Sequence, residues 1–191
     1  MNSSTTTDMT LEKLENILSR TMSTKRNELL SPKEPGKKYL DAADMDDLCD
    51  CMECIWLKHC DTVPPQIKAA SNLAKAILAP DVATKIRLIK DAMCLLAGIG
   101  GIAVIISAVG AALGWGAGVI GAIIAIFTGT PLLGPIALVA LGAAATIVAG
   151  YFMFSDITDE ELSQRAFNAL KDSTLKALPA IWKEYGSRWH D

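Results

Sequence analysis

The chain has 191 residues, 51% of them hydrophobic, and a net charge of −3. This length suits a single domain over 1–191. The mild acidity, with no basic stripe interleaved with aromatics, gives no pull toward nucleic acid and excludes it as the expected partner.

Residues 1–9 are polar and Ser/Thr-rich and are expected to be flexible. They lack a basic segment leading into an apolar one, so no cleavable secretory signal is read. The expectation is synthesis in the cytoplasm and action at a membrane after specialised secretion. Residues 10–91 read as amphipathic helices. Thr10 can cap a helix with Leu11, Leu14, Ile17, Leu18 and Met22 on one side. Ser, Pro and Gly break the chain over 31–37. Asp41, Asp44, Asp46 and Asp47 then favour a helix start, because anions suit the positive end of the helix dipole. This helix should end near Cys60, before Val63-Pro64-Pro65. Another should begin near Gln66, with Ile67, Ala70, Leu73, Ala74 and Ile77 on one face. Pro80-Asp81 should separate it from a helix that turns Val82, Ile86 and Ile89 inward.

Five cysteines, four of them clustered, do not suggest a closed disulfide framework. Cys49, Cys51, Cys54, His59 and Cys60 invite a zinc reading. Helix geometry opposes it: Cys49 and Cys60 share a face with Met45, Met52 and Trp56, whereas Cys51 and Cys54 point away. Cys49 and Cys60 would also stand about 16 Å apart along the axis. The expectation is two buried and two exposed thiols, with no metal and no cofactor. The chain has two histidines and no Gly-x-Ser-x-Gly, HExxH or Walker motif, so no enzymatic activity is expected.

Between Asp91 and Asp156 no charged residue occurs. A bilayer span needs roughly 20 apolar residues, and one charge at the bilayer centre costs about 2.5–3.5 kcal/mol. The run is long enough for two spans, or three if Gly114-Trp115-Gly116 breaks the first arm. Residues 92–154 read as a hydrophobic hairpin with arms over 92–127 and 136–154, turning at Gly129, Pro131, Gly134 and Pro135. Leu95, Ile105, Ile106, Leu113, Trp115, Ile120, Ile124 and Phe127 would enter the membrane from the first arm. Leu138, Leu141, Ile147 and Phe152 would do so from the second. Gly110, Gly114 and Gly118 recur every four residues, a spacing that lets apolar helices approach closely. Lys85, Arg87 and Lys90 precede the run and would contact lipid headgroups. Asp156, Asp159, Glu160 and Glu161 follow it. Residues 155–191 read as a C-terminal amphipathic helix. Thr158 and Glu161 have capping-box spacing there, and Leu162, Ala166, Leu170, Leu178, Ile181, Trp182 and Tyr185 lie along one face. The fold class expected is all-α, a multi-helix bundle of amphipathic helices around a central hydrophobic helical hairpin.

This layout, amphipathic helices at 10–91, a charge-free hairpin at 92–154 and a closing helix at 158–189, resembles the pore-forming domain of colicins and related helical toxins. The resemblance lies in architecture and not in a sequence motif, and the apolar run and the last helix are longer here. It implies a bundle that inserts its hairpin into a target membrane, as a pore-forming or depolarising toxin. The variant that suits this chain is a small effector delivered by a contact-dependent secretion system. The implied partners are a lipid bilayer and a cognate immunity protein or secretion chaperone, with an oligomer on the membrane left open. Two alternatives use the same run: an integral membrane protein of two or three spans, holin-like or structural, and a secretion translocator kept soluble by a chaperone.

Overall fold

The computed structural model describes residues 9–31, 36–96, 107, 110 and 157–189. The elements are α1 (Leu11–Leu29), α2 (Ala42–Cys60), α3 (Pro65–Leu78), α4 (Val82–Leu96) and α5 (Asp159–Tyr185), followed by a 3-10 turn at Gly186–Arg188. The described residues contain no strand. The fold is an all-α multi-helix bundle.

Local chemistry sets the helix ends. Thr10 caps α1 by accepting the Lys13 amide. Asp41 caps α2 in a reciprocal box: it accepts from the Asp44 amide while Asp44 accepts from the Asp41 amide, each at 2.9 Å. Lys37 closes over both carboxylates at 3.2 and 2.7 Å. α2 stops at Asp61, whose φ of 55° is left-handed, a region that Asp tolerates better than most side chains. Pro65 then opens α3 at a position where its missing N–H costs nothing. Ala79, held extended by the following Pro80, ends it.

α3 lies at the centre, packed against α2, α4 and α5, while α1 covers α2 and α5. Both α3 and α5 bury small residues, among them Ala70, Ala74, Ala166, Ala169 and Ala177, which lets the helices come close. Around them, Leu14, Leu18, Met45, Met52, Trp56, Ile67, Leu170 and Ile181 form the core. Polar contacts join the same helices. Lys75 of α3 pairs with Asp46 and Asp50 of α2, and Thr174 of α5 donates to Met52 Sδ at 3.3 Å. Arg26 of α1 donates to Gln164 at 2.6 Å and lies over the Phe167 ring.

Three expectations need correction. Ile17 is 40% exposed, because the buried line of α1 is Leu14, Leu18 and Met22, a stripe narrower than the apolar pattern. The box at the start of α5 is half formed. Thr158 accepts the Glu161 amide, but the Glu161 carboxylate turns to Arg165 at 2.6 Å. Val82 and Ile86 are half-buried, and the inward line of α4 runs through Lys85, Ile89, Ala92, Met93 and Leu96 instead.

Candidate membrane-engaging region

The helices that bracket the charge-free run are α4 and α5, and both pack on α3. The run begins inside α4: Ala92, Met93 and Leu96 are buried, Leu95 is half-buried against the core and Cys94 is exposed. Gly110 is helical and buried. The remaining insertion residues expected from the sequence, from Ile105 and Ile106 through Phe152, lie outside the described residues. So do Gly114, Gly118, the turn at Gly129, Pro131, Gly134 and Pro135, and, apart from 92–96, 107 and 110, the two arms. Among the described residues, no helix is long and apolar enough to cross a membrane.

The basic residues ahead of the run divide. Arg87 and Lys90 are exposed, as headgroup contacts need to be. Lys85 is not: only 6% of it is accessible, and its Nζ donates to the carbonyls of Ala76 at 3.2 Å and Ile77 at 2.8 Å. In the described bundle Lys85 is therefore not available to headgroups, unlike Arg87 and Lys90. The cause is in the sequence of α3. The helical partner of the Ala76 carbonyl would be residue 80, a proline with no N–H. Ile77 also lies in the last turn, where carbonyls lack helical partners. The Lys85 ammonium replaces those donors at the negative end of the helix. Desolvation pushes its pKa below the usual lysine value, with Asp81 opposing weakly.

On the far side of the run, Asp159, Glu160 and Glu161 sit exposed in the first turn of α5. Ser163, one turn on, is buried, and its Oγ accepts the Leu40 amide at 2.8 Å. This bond fastens the chain entering α2 to the beginning of α5.

The cysteine segment is helical throughout, within α2. Cys49 and Cys60 are buried, Cys51 is half-buried and Cys54 is exposed. Burial pushes the Cys49 thiol up to about 12, and Cys51 and Cys60 also rise through desolvation, so none of the three is an activated nucleophile. Among the described residues no three His, Cys, Asp or Glu side chains are grouped to hold a metal.

One cluster was not anticipated. The tail after α5 returns to the end of α2, where Trp189 stacks on His59 (4.6 Å, 6°) and meets Trp56 edge-on at 5.6 Å. Trp182 lies 6.1 Å from Trp189. Gly186 makes this return possible: a Cβ there would lie 2.9 Å from the Trp182 indole.

No protein-family model matches the chain, and neither curated proteins nor solved structures supply a match.

Proposed function

We propose that this protein is a membrane-inserting toxin or effector that forms pores or depolarises its target bilayer. The observation that carries this reading is a stretch without charge from 92 to 155, in a chain whose flanks fold into an amphipathic helical bundle. In water such a stretch requires apolar cover on every side, whereas in lipid a helix satisfies its own backbone and needs none. Arg87 and Lys90, exposed on α4 at the near end of the stretch, suit anionic headgroups. The stretch brings no charge of its own to a conducting path, so conduction calls for polar helices at the interface as well.

The test is release of dye and ions from anionic liposomes by the purified chain, from about pH 4.5 to 7.5. Wild type should release both. Ile105→Asp and Ile124→Asp each place a charge in the bilayer, at about 3 kcal/mol, and should suppress release, with folding checked by circular dichroism. Asp172→Asn, on the exposed side of α5, should release like wild type. A well-folded wild type that releases nothing, and leaves membrane potential intact when directed to the periplasmic face of a bacterial inner membrane, overturns the proposal. A chain recovered only in detergent points instead to an integral membrane protein.

A further inference from the structure

Among the described residues, α4 is tied to the bundle differently from the other helices. α1, α2, α3 and α5 are joined by polar contacts spread along their lengths, at Lys75–Asp46, Thr174–Met52, Arg26–Gln164 and Leu40–Ser163. α4 is held through the apolar line of Ile89, Ala92, Met93 and Leu96, and by Lys85 at its start. At about 100° per residue, Lys85 heads that same line, while Arg87 and Lys90 lie on the opposite side. Lys85, which ties α4 to the end of α3, is thus the side chain that would stand at the water boundary if the apolar face turned to lipid.

We propose that Lys85 is the latch of α4. In the closed bundle its ammonium holds the helix to the end of α3, and at an anionic bilayer it leaves the Ala76 and Ile77 carbonyls for lipid phosphate. This rests on the membrane-inserting reading above. The carbonyls of Ala76 and Ile77, neutral acceptors in a dry site, give way to a charged phosphate oxygen, which accepts a stronger hydrogen bond, while the attraction of Asp81 opposes release. The long lysine stem can lie along apolar surface while the ammonium reaches the headgroups. Departure of α4 uncovers the α3 carbonyls, which water then satisfies. Burial already disfavours the charged form of Lys85, so release also relieves the desolvation that the closed bundle imposes. Arg87 and Lys90 bring the helix to the surface, and Lys85 joins them only once it has opened.

The experiment is amine acetylation of the full wild-type chain, read residue by residue by mass spectrometry. It is run in buffer, with inorganic phosphate, and with vesicles containing phosphatidylglycerol. In buffer and in phosphate, Lys85 should be protected while Lys90 reacts. With the vesicles, Lys85 reactivity should rise by roughly tenfold or more, as expected for a site opened from a folded core. Lys85→Met loses the closed-bundle tie on any bilayer and the headgroup charge only at an anionic one, so its preference for phosphatidylglycerol over zwitterionic vesicles should fall about fivefold below that of wild type, the share of one lysine at an anionic surface. If Lys85→Met fails to fold, the labelling of wild type decides alone. A wild type that binds and permeabilises vesicles with Lys85 still protected overturns the latch and leaves the membrane function standing. Deprotection by phosphate alone overturns the lipid assignment. A wild type that does not bind vesicles overturns both readings.

Discussion

Replacing Ser163 by alanine tests whether the junction where the chain re-enters the bundle depends on one hydrogen bond. The Ser163 Oγ accepts the Leu40 amide at 2.8 Å, and both residues are almost inaccessible, at 3% and 1%. Ser163→Ala keeps the methyl-sized packing but leaves the Leu40 N–H buried without an acceptor. Stranding a buried donor costs about 1–3 kcal/mol, more than the net gain of forming an average hydrogen bond. Urea unfolding should therefore show a lower midpoint at unchanged slope, with a stability loss in that range. Lys176→Ala, on an exposed position of the same helix, should stay within about 0.5 kcal/mol of wild type. If Ser163→Ala also stays within that margin, the bond does not fasten the junction and the argument fails. If the membrane reading holds as well, the weakened variant should release dye at lower protein concentration than wild type.

Thiol reactivity follows burial and pKa: iodoacetamide at neutral pH should modify Cys54 and Cys94 first and leave Cys49 unmodified until the protein unfolds. Early labelling of Cys49 would contradict the packing of α2. The cap of α2 should depend on acid. The Asp44 amide, chiefly, and then Lys37 hold the Asp41 carboxyl below its ordinary 3.8. Its contribution to stability is thus fully present above that value and is lost as pH falls through the lower, folded pKa. The Asp41 carboxyl resonance in an NMR titration should have its midpoint below 3.8, and a midpoint at or above it would remove the cap from the account.

The helices were legible because their boundaries rest on local chemistry. Thr10, Asp41, Pro64-Pro65, Pro80 and Thr158 act on neighbours within four residues, and each begins or ends a helix where the sequence indicates. The burial of Cys49 and Cys60 and the exposure of Cys54 were legible from helical phase alone, whereas Cys51, expected to be exposed, is half-buried. Helical phase carries information that residue type masks. Lys85 is in step with Ile89, Ala92, Met93 and Leu96, although its charge suggests a headgroup contact, and Ser163 is in step with Ala166, Phe167, Leu170 and Thr174. Pro80 was read as a break, but its second effect, removing the donor for Ala76, pointed to the cation that would be needed nearby. The Trp189–His59 stack had no comparable signal. It joins positions far apart in the chain, and only the packing of α5 on the rest of the bundle brings them together.

The placement of α4 also bears on why release should require a bilayer. Detaching the helix into water exposes Ile89, Met93 and Leu96, each nearly inaccessible in the bundle. At about 1.5–3 kcal/mol for each large apolar side chain, the three together cost about 5–9 kcal/mol. That is comparable to the whole stability of an ordinary domain, about 5–15 kcal/mol, so in water α4 stays closed. On the membrane reading proposed above, a lipid surface would bury the same three side chains again, and most of that cost would disappear. On the latch proposal the outcome then turns on the ammonium of Lys85, which exchanges its bonds to the Ala76 and Ile77 carbonyls for lipid phosphate. On a zwitterionic surface each phosphate is neutralised by its own headgroup cation and there is no net attraction for lysine, so the apolar exchange is nearly balanced and the lysine stays where it is. A requirement for negative lipid, not merely for a bilayer, is therefore what this geometry leads to.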